Sequence, residues 1–283
     1  MRLGAHVSAA GGLSKAIDRA QEMGAETIQI FASSPRAWAF RQPTEGDVSA
    51  FRKNVEAGGV SPVFLHGSYL VNVGGAADLV EKSVASLADH MSVAGRLGGA
   101  GVIFHAGSHK GVGFEGVLGQ ASAALRRVLA SSPSDIWLII ENSAGMGAHI
   151  GASFQEIGRL IREIGSPKVM VCLDTQHCLA AGYNMIEVGG ITDAMDEFDR
   201  EIGLPRLAAV HANDSKSPLG SGLDRHENIG DGHLGVKGFE AIMGHPAFHD
   251  VPFILEVPGF DKKGPDKENL DRLKEIRSRL GIP

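Results

Sequence analysis

The chain has 283 residues, two cysteines and a formal net charge of −6, with 43% hydrophobic and 21% charged residues. This length and apolar fraction suit a large buried core without disulfide support, and two cysteines exclude a disulfide framework and fit a reducing cytoplasm. No run approaches the ~20 apolar residues of a membrane span, Met1–His6 lacks the apolar stretch of a signal peptide, and the acidic balance by itself argues against a nucleic-acid surface.

From the amino end, short apolar runs alternate with helical patterns. Strands are expected over 2–6 and 27–32; between them, Leu13, Ile17, Ala20 and Met23 fall at helical spacing over 13–23. A third strand, 62–66, reads Pro-Val-Phe-Leu-His, and a helix over 79–97 follows, with Leu79, Val80, Val84, Leu87, Met91, Ala94 and Leu97 on one stripe. Strand 101–105, helix 117–129, strand 137–141, helix 154–164 and strands 169–174, 207–211 and 252–256 complete the series. The strands are continuous apolar runs, as strands covered on both faces should be. Eight such units without a linker predict a (β/α)8 barrel, an α/β fold, as one domain over 1–283.

The last six strands share a property. They end on His66, His105, Glu141, Asp174, His211 and Glu256, spaced by 39, 36, 33, 37 and 45 residues, about one strand-helix unit each. In a barrel the carboxyl ends of all strands lie on one rim, where the active site sits. Six metal-ligand side chains therefore converge at the mouth. Mixed imidazoles and carboxylates suit zinc, manganese or iron, and the set exceeds what one tetrahedral zinc needs. A carboxylate can bridge two ions, so two metals is the economical minimum, an arrangement suited to in-line displacement at phosphorus. His177 follows Asp174 by three residues, and Asp224-Arg225-His226 occupies the loop after strand 207–211. Alone, Asp224 and His226 read as a solvated loop; an Asp-x-His pair on an extended segment points both side chains to one side, and with His177 it completes an open site for another zinc.

Other features are weaker. Gly111-Val112-Gly113-Phe114-Glu115-Gly116 matches a dinucleotide-binding pattern but does not directly follow a strand, so it reads as a flexible loop. Cys172 is expected in the core and Cys178 in packing. His109, His149 and His233 fall in rim loops, and His90, His245 and His249 in helix or surface positions.

The stretches H-G-S-Y-L-V-N (66–72), F-H-A-G-S-H (104–109), E-N-S-A-G (141–145), L-D-T-Q-H-C-L-A-A-G-Y (173–183), H-A-N-D-S-K (211–216), D-R-H-E-N-I-G-D-G (224–232) and L-E-V-P-G (255–259) carry a further signal. Together they resemble the endonuclease IV family of apurinic/apyrimidinic DNA-repair nucleases, along essentially the whole chain. The resemblance implies a TIM barrel with three zinc ions, manganese or iron being alternatives at some sites. His66, His105 and Glu141 would hold one ion. Glu141 would bridge to a second, held also by Asp174, His211 and Glu256, and His177, Asp224 and His226 would hold the third. The implied reaction is hydrolysis of the phosphodiester 5′ to an abasic site in duplex DNA, leaving a 3′-hydroxyl and a 5′-deoxyribose phosphate, with trimming of blocked 3′ ends, in base excision repair. Glu141 would position the attacking hydroxide, and the ions would stabilise the leaving 3′-oxygen.

The resemblance also places Arg36, Tyr69 and Leu70 against the duplex, where wedges unstack a kinked helix most readily at a missing base. Two positions depart from the family pattern, Ala106 for a proline and Gln176 for a cysteine, and the Arg36 loop F-A-S-S-P-R-A-W is less typical. Three divalent ions at the rim would offset the formal charge of −6, with Arg2, Arg36, Arg41, Lys110, Lys216 and Arg225 as candidate phosphate contacts. The competing reading is a metal-dependent sugar isomerase or epimerase on the same barrel. It needs fewer metals and has no use for the Asp224–His226 pair or a duplex-probing segment. A monomer in the cytoplasm is expected.

Overall fold

The eight apolar runs close into one parallel ring in a computed structural model that describes residues 1–283. In chain order the elements are β1 (Leu3–His6), α1 (Leu13–Met23), β2 (Thr27–Phe31), α2 (Glu45–Gly58), β3 (Val63–His66), α3 (Ala77–Leu97), β4 (Gly101–His105), α4 (Phe114–Ala130), β5 (Trp137–Glu141), α5 (Phe154–Ile164) and β6 (Val169–Asp174). There follow α6 (Thr175–Ala181), α7 (Val188–Glu201), β7 (Leu207–His211), β8 (Asp214–Ser215), β9 (His226–Glu227), α8 (Gly235–Gly244), β10 (Phe253–Leu255) and α9 (Lys267–Arg279). Strands β1 to β7 pair in order, and β10 lies between β7 and β1 to close the barrel. β8 and β9 form a separate antiparallel ribbon above the rim.

The expected boundaries hold to within a few residues, with physical reasons for the shifts. β3 starts at Val63, after Pro62, which has no N–H to give a ladder; its carbonyl instead accepts from the Thr27 hydroxyl at 2.6 Å. β10 stops at Leu255, so Glu256 stands one residue beyond the strand. α4 starts at Phe114, three residues before the expected 117, and absorbs Gly116. The glycine-rich stretch is therefore half loop and half first helical turn. His109 Nδ1 accepts from the amides of Gly111 and Gly113, at 3.2 and 3.1 Å, and so holds the loop half.

The helices pack one apolar stripe on the barrel. In α5, Phe154, Ile157, Leu160, Ile161 and Ile164 are buried, spaced at three and four residues. Ser153 caps its start by accepting from the Glu156 amide at 3.2 Å, and Gly165 ends it in a left-handed conformation.

Inside the barrel, the side-chain period of two decides what lies beneath the mouth. Phe64, Ile103, Ile139, Cys172, Ala209 and Ile254 form one interior cluster with Ala208. The first six each stand two residues before one of the six expected ligands. They make an apolar floor under a polar rim. At the opposite end Glu26 ties the ring shut. Its carboxylate accepts two hydrogen bonds from Arg277 in α9, both 2.7 Å, and one from the Leu3 amide of β1 at 2.9 Å. Arg2 lies at this end too, donating to the carbonyls of Glu26 and Gly59, which removes it from the candidate phosphate contacts.

Burial pushes the Glu26 carboxyl up, but the Arg277 and Leu3 hydrogen bonds outweigh it and bring its pKa below the ordinary 4.5. A depressed carboxyl adds stability above its unfolded pKa, and that stability disappears as pH falls through the folded value. Glu26→Gln should destabilise the protein by about 1–2 kcal/mol at pH 7, and the gap to wild type should shrink as pH falls from 4.5 to 3.5. Urea unfolding across this range checks it; a gap independent of pH would show that the carboxylate charge contributes nothing.

Candidate metal centre

Strand ends bring the ionisable side chains together. Three sets of donor atoms lie close enough to share an ion: His66, His105 and Glu141; Glu141, Asp174, His211 and Glu256; and Asp174, His177 and His226. All six strand-end residues are among them. Asp224 stands beside the third set, its Oδ1 3.5 Å from His177 Nε2 and 3.4 Å from His226 Nε2. Glu141 belongs to two sets. Its Oε2 faces His66 Nε2 at 3.3 Å and His105 Nε2 at 3.5 Å, and its Oε1 faces His211 Nδ1 at 3.1 Å and His177 Nδ1 at 3.2 Å. Asp174 is also shared, its Oδ2 lying 3.7 Å from His226 Nε2, which the sequence had not placed in the third set.

The donor set fits metal ions on two observations. Ligands about 2.0–2.1 Å from a tetrahedral zinc sit roughly 3.3–3.4 Å from one another. The contacts between His66 and Glu141, His211 and Glu256 and His226 and Asp224 measure 3.3, 3.3 and 3.4 Å. The second observation concerns the far side of each ring. His66 Nδ1 donates to the Gly67 carbonyl at 2.8 Å, His177 Nδ1 to the Asn142 carbonyl at 2.9 Å, and His226 Nδ1 to the Glu256 carbonyl at 3.3 Å. A carbonyl only accepts, so these nitrogens carry the proton and the other nitrogen is bare. His177 Nε2, His226 Nε2, His211 Nδ1 and Glu141 Oε1 are buried without a hydrogen-bond partner. Buried polar atoms are rarely left so, and a metal-binding histidine characteristically has its other nitrogen bonded away.

Electrostatics agree. Burial pushes the Glu141 carboxyl up, yet His105, His211 and His177 hold it well below the ordinary value. Burial would lower His177, but Asp174, Asp224 and Glu141 raise it well above 6.5. Burial also lowers His211, and its neighbours outweigh that and raise it. The Cys172 thiol beside it, pushed up to about 11 by burial, stays protonated, so the charges acting on His211 are Glu256 and Glu141. Asp224, raised by burial, is held at about 2 by His177 and His226. The carboxylates thus favour positive charge among the imidazoles, a charge that a cation held by the bare nitrogens would also supply.

Asparagines orient this cluster. Asn213 donates to Asp174 Oδ2 at 2.7 Å and accepts from the Glu256 amide at 2.9 Å, and Asn142 accepts from the Asp174 amide at 2.7 Å. Asp214, at the start of the ribbon, is buried. It accepts from the amides of Ser215, Gly230, Gly232, Leu234 and Gly235 at 2.7–3.1 Å. Gly232 is required there, since a Cβ would lie 2.5 Å from Asp214 Oδ1.

The mouth opens on a cavity of about 360 Å³ lined by Tyr69, His105, His149, His177, Asp224 and His226 among others. Tyr69 is 51% exposed, its ring 5.6 Å from that of His66. Leu70 is half-buried beside it and Arg36 is exposed. The Tyr69 amide and the Ser68 hydroxyl both donate to the Pro35 carbonyl at 2.9 Å, which joins the Tyr69 loop to the Arg36 loop. Arg41, Lys110, Lys216 and Arg225 are exposed on the rim loops. His233 is exposed, and it enters none of the three donor sets. His90 lies in helix α3, one of its two expected settings, and is buried there, its Nδ1 donating to the Ser86 carbonyl at 2.7 Å. Cys172 and Cys178 are buried as expected. His6 and Gln29 were not foreseen as part of the site, although 2–6 is also an apolar run ending on a histidine. His6 Nδ1 lies 3.3 Å from Glu256 Oε1, and Gln29 touches both.

Ions bound by these sets should stabilise the fold by mass action, about 4 kcal/mol for one ion at a thousandfold excess over its Kd. Stripping the protein with a chelator should lower its Tm by several degrees, and zinc should restore it. An unchanged Tm would mean the clustered donors hold no ion.

Comparison with known proteins accords with this geometry. Residues 17–276 match the family described as xylose isomerase-like TIM barrel. The protein named probable endonuclease 4 from Halothermothrix orenii is 37% identical over 276 residues, covering 97% of this chain and 99% of its own. The crystal structure of endonuclease IV from Thermus thermophilus superposes with a TM-score of 0.87 at 38% identity, covering all of both chains. A D-tagatose 3-epimerase-like protein superposes at 0.76 with 16% identity over 99% of this chain and 98% of its own, a likeness of fold alone. With full-length identity at this level and the strand-end donors in place, the chain is a member of the endonuclease IV family, within the xylose isomerase-like TIM barrels.

Proposed function

We propose that the chain is one domain over 1–283 that acts as a cytoplasmic monomer, a zinc-dependent endonuclease of base excision repair. It hydrolyses the phosphodiester 5′ to abasic sites in duplex DNA, leaving a 3′-hydroxyl and a 5′-deoxyribose phosphate, and trims blocked 3′ ends. The observation that carries this reading is the third donor set. An Asp224–His226 arm reaches over the rim to His177 and Asp174, beyond what a one- or two-metal sugar isomerase needs. No helix of the chain is long and apolar enough to cross a membrane.

His66, His105 and Glu141 would hold one zinc, Glu141, Asp174, His211 and Glu256 a second, and His177, Asp224 and His226, with Asp174 adjacent, the third; manganese or iron fits the same donors. When bound, these ions supply a polarised water and neutralise charge on the scissile phosphate and leaving oxygen. Glu141 is the chain's main contribution: buried, with one oxygen toward each of two donor sets, it fixes their spacing. The apolar floor keeps water from reaching the site from below. Tyr69 and Leu70 stand at the edge of the mouth, where an apolar wedge enters a duplex at least cost if a base is missing. Arg36 follows on the loop tied to them through Pro35.

A duplex carrying one tetrahydrofuran abasic analogue tests the reaction, because this analogue cannot be cut by β-elimination. Metal-dependent cleavage leaving a 3′ end that a polymerase extends is the expected result. No cleavage by fully loaded protein would favour the sugar isomerase reading. Glu141→Gln should lower cleavage by at least a hundredfold; wild-type turnover with full metal content would remove Glu141 from its bridging role. Tyr69→Ala should weaken binding to the lesion about tenfold, on the scale of one stacked base, without changing metal content. Unchanged lesion affinity would count against the wedge.

A further inference from the structure

Gln29 lies in the middle of β2 between Ile28 and Ile30 and is fully buried. A buried primary amide inside a strand is expensive unless its polar atoms are satisfied. Here three partners satisfy it. Its Nε2 lies 2.6 Å from Glu256 Oε1 and 2.9 Å from His6 Nδ1, and its Oε1 lies 2.9 Å from His211 Nε2.

The chemistry of the partners fixes which way the amide points. An ionised carboxylate only accepts, so the nitrogen end must face Glu256. The oxygen end then faces His211 and can only accept, so His211 carries its proton on Nε2. That leaves Nδ1 bare and turned to Glu141 Oε1 at 3.1 Å and Glu256 Oε2 at 3.3 Å. The same amide occupies Glu256 Oε1, so Oε2 is the oxygen left facing His211. One side chain thereby selects the donor atom of two neighbouring residues. Its hydrogen bonds reach no other member of the three donor sets.

We propose that Gln29 is a positioning residue for the ion held by Glu141, Asp174, His211 and Glu256, presenting His211 Nδ1 and Glu256 Oε2 to it. This rests on the ion-binding reading of the site. It makes the affinity of one donor set of three depend on a residue from a strand that contributes no ligand. Partners of this kind typically change metal affinity by 10–100-fold.

The test is chelator competition on purified full-length protein loaded with zinc, with retained metal counted by elemental analysis. Gln29→Glu keeps the shape but replaces the donor to Glu256 with a second carboxylate, and Gln29→Met keeps the length without polarity. Wild type should retain three ions up to a given chelator concentration. Each variant should release one ion at a 10–100-fold lower concentration and the other two at the wild-type midpoint. Cobalt-loaded Gln29→Met should show altered visible bands for that one ion, a signature that general loosening of the barrel would not confine to a single site. A Gln29→Met profile matching wild type overturns the assignment and leaves the ion reading intact. Loss of all three ions together, or failure of both variants to fold, also overturns it, because the assigned effect is local. A wild-type protein that retains no ion overturns the reading of the site itself and this inference with it.

Discussion

Like charges crowded at the mouth of the barrel are the constraint from which the site follows. Glu141, Asp174 and Glu256 converge within a few ångströms, with Asp224 leaning in from the ribbon. Water cannot screen Glu141 or Asp174, which are buried. Burying carboxyl groups this close together is costly unless cationic partners and hydrogen-bond donors compensate them. The imidazoles, the asparagine amides and the glutamine on β2 do this at close range. Each histidine points one nitrogen inward, and where a hydrogen bond fixes the other nitrogen, it is to a carbonyl or an amide oxygen. A protein without cations to bind would gain nothing from such an arrangement.

The barrel solves the placement problem with strand geometry alone. Residues two apart share a face, so a ligand at the end of a strand implies a companion beneath it inside the ring. These companions are apolar, and they separate the charged rim from the far end, where Glu26 and Arg277 bind β1 to α9. Register is thereby specified twice, once by the floor and once by the rim. A one-residue slip in any of the six ligand-bearing strands would turn a ligand toward the helices and an apolar neighbour toward the charges.

This explains which parts of the molecule were legible in the sequence. His66, His105, Glu141, Asp174 and His211 each end an uninterrupted apolar run, and a run that stops on a ligand type can be seen without coordinates. Gln29 and His6 carry a weaker signal, because Gln29 sits inside an apolar run instead of ending it and His6 ends the short mixed run Arg2-Leu3-Gly4-Ala5. Asn213 and Asp214 were harder. Asn213 lies between β7 and the two-residue β8, which Asp214 opens, and their partners are backbone amides and carboxylates that only the folded chain brings near. The ribbon of β8 and β9 has two residues per strand and carries no periodic signal. Its role was anticipated only from the Asp-x-His spacing and the family resemblance, neither of which pointed to Asp174 as a shared member of the third set.

Asp214 gives the ribbon an unusual support. Loops rich in glycine often close around an anion from outside, most familiarly a phosphate, with amides converging on it. Here the chain encloses an anion of its own, five amides around one carboxylate. The segment from Asn228 to Gly235 is thus wound about a permanent internal guest. The five hydrogen bonds come from within the chain, and the arm bearing Asp224 and His226 grows from the base they hold. Hydrogen bonds made before a ligand arrives reduce the ordering that its binding must bring about, which is the thermodynamic meaning of preorganisation.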